Sequence, residues 1–166
     1  MTDTTPRMAL PLLVPGQAQK EMFHNEALLR LDLAVQASVV AVGLDTPPET
    51  PGAGEVWIVG ATPTAAWLGQ AGALAGWTPG GWRFVAAAEG MAVWDQSTGQ
   101  VARRVDAAWR LGTVAASRLV IGGTQVVGAQ RPAIADPAGG GTVDGEGRAS
   151  ITAILAALRA HGLLAG

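Results

Sequence analysis

Within the stretch KEMFHNEALLRLD, residues 20 to 32, one of the two histidines of the chain stands among carboxylates and an amide: Glu21, His24, Asn25 and Glu26. Hydrolytic acyl transfer would need such a histidine as base, a hydroxyl nucleophile within its reach and an acid to orient its ring. The serines Ser38, Ser97, Ser117 and Ser150 occupy no nucleophile elbow, and no G-x-S-x-G occurs. His24 instead heads an apolar stripe at helical spacing, the place of a hydrogen-bonded core or interface residue. Its expected role is structural.

Other chemistries fare no better. His24 and His161 are far apart, and neither belongs to an H-E-x-x-H pattern, so no metal site is expected. Gly139 to Gly141 lack the Lys-Ser/Thr pair with which a phosphate loop reaches phosphate and magnesium. They read as a lead into the last helix. Glycoside cleavage needs two carboxyls at a set separation in a cleft. Glu89 and Asp95 are formal candidates among Glu55, Glu89, Asp95 and Asp106, and nothing singles them out. No enzyme activity and no cofactor are expected.

The tryptophans are more telling. Trp57, Trp67, Trp77, Trp82, Trp94 and Trp109 all fall in one half of the chain, which has no tyrosine. Indole offers a flat apolar face with a polar edge, suited to filling a small core or to stacking on a sugar ring. Trp67, Trp77 and Trp82 stand among glycines and turn residues. They are the expected exposed ones and the candidate glycan contacts.

The whole composition sets the frame. A length of 166 residues fits one domain or two very small ones. Hydrophobic residues make up 49% and charged residues 14%, against about 25% charged in ordinary globular chains. So few charges leave little margin for solubility, and burial of uncharged surface against further copies would relieve that. Net charge is −2, with one lysine, Lys20, and scattered arginines, so nucleic acid is not an expected partner. There is no cysteine, hence no disulfide. The apolar run near the N-terminus is short and broken by prolines, unlike a signal peptide or a membrane span. Synthesis in the cytoplasm is expected, with exit by lysis or within a particle.

The elements that would position these residues follow from the punctuation. Residues 1–15 read as an extended arm, because Pro6, Pro11 and Pro15 oppose a helix. After Pro15-Gly16 no proline or glycine occurs until Gly43, which predicts one helix to about Val42, roughly 36 Å long. It carries two apolar stripes on opposite sides. One is Leu28, Leu31, Val35, Val39 and Val42; the other is Met22, Leu29, Leu33, Ala37 and Val40. A polar strip of Asn25, Asp32 and Gln36 runs between them. A surface helix of a monomer needs one stripe, so two predict burial between its own domain and a neighbouring subunit.

Residues 43 to 55 read as a linker. VWIV, GWRFV, MAVWD, QVARRV and AWRLG follow as short strands of a small antiparallel sheet, with a weak echo between Trp77…Trp82-Arg83-Phe84 and Trp94…Trp109-Arg110-Leu111. Gly122-Gly123 between two β-branched runs predicts a hairpin with a two-residue turn. A last helix is predicted from about Asp144 to His161, with Thr142 or Asp144 as N-cap and Gly162 at its end. The expected fold is α+β: a long N-terminal helix, a small Trp-rich antiparallel β-domain, a β-hairpin and a C-terminal helix. The expected divisions are 1–43 for arm and oligomerisation helix, 44–128 for the β-domain and 129–166 for loop and last helix. Met22, Leu29, Leu33, Val40, Ile151, Ile154, Leu155 and Leu158 are the candidate oligomer interface.

LPLLVPGQAQKEMFHNEALLRLD, PPETPGAGEVWIVG and LAGWTPGGWRFVAAAEGMAVWD, with the ending VVGAQRPAIADPAGGGTVDGEGRASITAILAALRAHGLL, resemble a domain family of unassigned biochemistry. That family is common in tail-fibre and head-spike proteins of phages and gene transfer agents of alphaproteobacteria. The resemblance spans about residues 8 to 164. It implies a virion structural protein: a homo-oligomeric base or adaptor, trimer or pentamer, joining capsid or tail proteins to a spike or fibre. Such appendages commonly attach to cell-surface polysaccharide. The alternative it leaves is a carbohydrate-binding module that recognises capsule glycan directly. It carries over no catalytic residue.

Overall fold

The computed structural model describes residues 4–13 and 20–165. The chain divides into two compact units, Met1–Thr113 and Val114–Gly166.

The first unit begins with a loop and a helix, and here the long N-terminal helix is corrected. The expected start at Pro15-Gly16 lies outside the described residues. Helix α1 spans Lys20–Ala34 and does not continue to Val42. Gln36 turns left-handed at φ 46° and ends it. The last turn of α1 contains no basic residue of its own. The Arg7 guanidinium supplies the charge instead, donating to the carbonyls of Asp32, Val35 and Gln36. Cations at a helix C-terminus satisfy carbonyls that have no helical partner. Residues 37–44 are rich in valine and go to strands. Branching at Cβ restricts χ1 in a helix and suits a pleated surface.

The arm is corrected as well. Thr4 and Pro11 form a bridge, Ala9 takes φ 52°, and residues 4–13 fold back on themselves instead of extending.

The single antiparallel sheet expected in this unit is two mixed sheets. One orders β2 (Val42–Leu44), β3 (Val56–Val59), β4 (Leu74–Thr78) and β5 (Gly81–Val85). The other orders β1 (Ser38–Val39), β6 (Ala92–Asp95), β7 (Gln100–Val105) and β8 (Ala108–Leu111). The segment expected to end the helix supplies one short parallel strand to each: β1 along β6 and β2 along β3. The remaining pairs are antiparallel. Trp77 pairs with Trp82 across one hairpin, whereas β7 separates Trp94 from Trp109. The two halves of the sequence echo therefore hold different positions.

Strand β3 is buried on both faces, as its unbroken apolar run allows. Val56 and Ile58 join Leu33, Ala37, Val39, Leu74, Val93 and Ala102 in one core. Trp57 and Val59 join Trp67 and Ala75 in a second, against Trp77, Trp82 and Phe84. Gly76 opens the slot that seats α1. A Cβ there would lie 2.3 Å from Leu33 Cδ2, inside any tolerable contact. Trp109 Nε1 donates to the Gly72 carbonyl at 2.9 Å and ties β8 to the loop before β4.

The second unit holds β9 (Leu119–Ile121), β10 (Thr124–Val127) and helix α2 (Gly145–Ala160). Gly122 and Gly123 both take positive φ in the hairpin turn, as a primed two-residue turn requires. Asp144 is the N-cap of α2 and accepts from Gly147 N–H at 2.8 Å. At the other end Gly162 takes φ 69°, with Leu163 N–H donating to Leu158 and Gly162 N–H to Arg159. That is a Schellman ending. Leu155 and Leu164 are buried, while Leu119, Val120, Ile121, Val126, Val127, Ile151 and Ile154 are exposed.

Candidate functional site

The polar strip of α1 fastens the N-terminal loop. Asp32 is fully buried and accepts from Thr5 Oγ1 at 2.7 Å, Arg7 N–H at 3.0 Å and Met8 N–H at 2.6 Å. Thr5 Oγ1 in turn accepts from Leu10 N–H. Two turns earlier, the Asn25 amide exchanges two hydrogen bonds with the Leu13 backbone. The residues around His24 that looked like a catalytic set therefore hold chain segments together; His24 itself lies on the exposed side of α1.

Glu26 is paired twice, with Arg83 Nε of β5 at 2.7 Å and with Arg30 Nε one turn on at 3.0 Å. Partial burial pushes its carboxyl up, but the hydrogen bonds and charges of Arg83 and Arg30 outweigh that and hold it below the usual value. A carboxyl lowered in the folded state stabilises above its unfolded pKa, and that gain is lost as the pH falls through the folded value. The first unit should therefore weaken between about pH 5 and pH 3. Glu26→Gln should be less stable than the parent near pH 7 and lose less over that window. Urea titrations at the two ends check this; parallel losses in both proteins would contradict it.

The faces of α1 correct the expected interface stripe. Leu33 is buried in this unit's own core and is not available to a neighbour. Leu29 is half-buried and, with the exposed Met22, lines an open groove of about 440 Å³ bounded by Leu13, Glu21, Asn25, Glu26 and Arg83. Val40 packs against the tryptophan cluster. The other expected stripe is split: Leu31 and Val35 are exposed, Leu28 and Val42 are half-buried, and Val39 is fully buried on β1. The row that faces outward is Phe23, 78% exposed, with exposed Ala27, Leu31 at 50% and Val35 at 42%. At intervals of four residues these form one row along the helix. Of the candidates on α2, Ile151 and Ile154 are exposed, Leu158 is half-buried and Leu155 is buried.

The tryptophan expectation is also corrected. Trp67 is fully buried, because the 3-10 turn Ala65–Trp67 directs it into the second core. Its ring centroid lies 6.3 Å from that of Trp57 and 5.2 Å from that of Trp82, and Trp77 stands 5.0 Å from Trp82. Trp77 and Trp82 are half-buried edges of this cluster. The exposed indole is Trp94, at 47%, on β6. Strand alternation could have found it: Val93 and Asp95 point inward, so Trp94 points out.

The formal acid pair is not brought together. The Asp95 carboxylate is buried in the β6–β7 turn, where burial raises its pKa but hydrogen bonds from Thr98 and Ser97 lower it further. Glu89 accepts from Asp106 N–H at the opposite end of β6. Among the described residues no group of three His, Asp or Glu side chains is placed to hold a metal ion. No helix among them is long and apolar enough to cross a membrane.

The first unit is thus a small two-sheet α+β domain with a tryptophan core, fronted by one helix whose outer flank is apolar. Its residues 24–110 match a family described as a protein of unknown function, DUF2793, and the chain belongs to that family. The match runs from the second turn of α1 into β8. No curated protein matches the chain.

Proposed function

We propose that this protein is a homo-oligomeric structural component of a phage-like particle, the base or adaptor of a head spike or tail fibre, and that it aids attachment to host-surface polysaccharide. The observation that carries the oligomer is the outward row Phe23, Ala27 and Leu31 on α1, with Val35 just past its end. A helix already seated on its own sheet by Leu33 has no use for a second apolar flank in a monomer. Burying the exposed fractions of Phe23, Leu31 and Val35 would contribute roughly 2.5 to 5 kcal/mol per copy in gross transfer terms. The second unit adds Ile151, Ile154 and both strands of its hairpin as uncovered apolar surface. A two-stranded ribbon alone is marginal in water, so copies packed around a common axis would complete it.

The particle context comes from the resemblance of the sequence to spike and fibre proteins. Its partners would be further copies of the chain, as trimer or pentamer, then capsid or tail proteins and a fibre. Immunogold labelling of particles shed by producing cells tests the placement. Label at a head vertex or tail tip is expected; label confined to particle-free supernatant and cell extract would refute it. The second reading, a module that binds capsule glycan directly, is favoured by the exposed Trp94.

A further inference from the structure

The sheet β1-β6-β7-β8 buries Val93 and Ala102 on one face. Its register fixes what the other face carries. Trp94 lies opposite Val101, Ala92 opposite Arg103, and Arg103 opposite Arg110. Trp94, Val101, Arg103 and Arg110 are all exposed. Directly opposed residues stand about 5 Å apart at Cβ, and like charges so placed are destabilising. Neither the Arg103 nor the Arg110 side chain has a hydrogen bond or an ion pair among the described residues, although those of Arg83 and Arg159 do. The ladder positions of this face hold no carboxylate. Asp95 points to the other side, and Glu89 and Asp106 meet beyond the strands at the β7–β8 turn.

We propose that this face binds a linear acidic polysaccharide, with the Trp94 indole as the sugar platform and Arg103 and Arg110 as the receptor for a sugar carboxylate. This rests on the proposed attachment to surface polysaccharide and names the class of glycan. A Cβ at Gly99 would meet the indole edge at 4.0 Å, an ordinary contact, so the ring lies beside the β6–β7 turn. The arginine pair sits two residues further along the ladder, with Arg103 one strand and Arg110 two strands across from Trp94, roughly 8 and 12 Å away at the backbone. That offset suits one pyranose ring stacked on the indole and a neighbouring sugar whose carboxylate reaches the guanidiniums. Two planar guanidiniums can each give a carboxylate parallel hydrogen bonds, and the anion relieves their mutual repulsion. A polyanion with one charge per sugar or two fits this sparse pair. Duplex nucleic acid presents a charge about every 1.7 Å, and a chain of net charge −2 offers no continuous basic track for it.

Titration of the full chain with alginate, followed by calorimetry and by tryptophan fluorescence, tests the proposal against dextran and duplex DNA as controls. Alginate should bind and dextran should not. Trp94→Ala and the double variant Arg103→Gln/Arg110→Gln should each weaken alginate binding roughly tenfold or more, with thermal midpoints near the parent's. The parent's affinity should fall as salt rises, and the double variant should lose most of that dependence. No alginate binding, equal binding by the variants, or tighter binding of DNA than of alginate would overturn it. Equal binding of dextran and alginate through Trp94 would overturn the acidic class and leave glycan attachment standing. Failure of the immunogold test would remove the particle assignment without altering any of these affinities.

Discussion

Asp32→Ala is expected to destabilise the first unit by roughly 3 kcal/mol or more, and to free the N-terminal loop from α1. The carboxylate is completely buried and is the acceptor for one hydroxyl and two backbone N–H groups. Each donor left without a partner costs about 1–3 kcal/mol when it stays dry. Met8 is exposed and Arg7 half-buried, so water can recover part of that loss, which keeps the figure near the lower end. The change also slackens the Arg7 cap on α1, because the backbone of Arg7 is positioned by Asp32 and its guanidinium holds the last carbonyls of the helix. Asp32→Asn should fall between parent and alanine. Its amide keeps one acceptor and turns an NH2 toward a donor. Urea unfolding read by far-UV circular dichroism gives the number. A loss under about 1 kcal/mol would mean that the loop is held by other contacts.

The second large effect concerns association. Phe23→Asp/Leu31→Asp should leave the fold intact, because both side chains are exposed, and should convert the proposed oligomer to monomer. Buried unpaired carboxylates at a subunit interface are costly enough to abolish it. Leu33→Asp is the informative contrast. Leu33 is fully buried over Gly76, so a charge there should unfold the first unit rather than dissociate folded copies. Light scattering and circular dichroism separate the two outcomes. A double variant with the parent's mass would show that this flank of α1 is not the contact.

What the sequence disclosed was local. VWIV, GWRFV and QVARRV became strands at β3, β5 and β7, Gly122-Gly123 became the hairpin turn, and Asp144 became the cap of α2. Each is governed by residues within four positions of one another. The end of α1 was not local. No glycine or proline marks residues 34–42; the helix ends at the left-handed Gln36, and its last carbonyls are capped by Arg7, 25 to 29 residues away. The valines there satisfy a helical and a strand period alike, and only the vacant parallel edges of β3 and β6 decide between them. Neither apolar stripe read along residues 22–42 holds as a face: Met22 of one is exposed, Val39 of the other is buried on β1, and the side of α1 that turns inward is set by the slot at Gly76. Trp67 looked exposed because its neighbours are turn residues. Turn residues govern the backbone, and the direction of its indole is set by Trp57 and Trp82.

The mass of the purified chain in solution, by sedimentation equilibrium over a wide concentration range, tests the central claim most directly. A species of three or five times 16.8 kDa is predicted, falling to 16.8 kDa in Phe23→Asp/Leu31→Asp. A parent protein that remains at 16.8 kDa throughout, with folded circular dichroism, would contradict it.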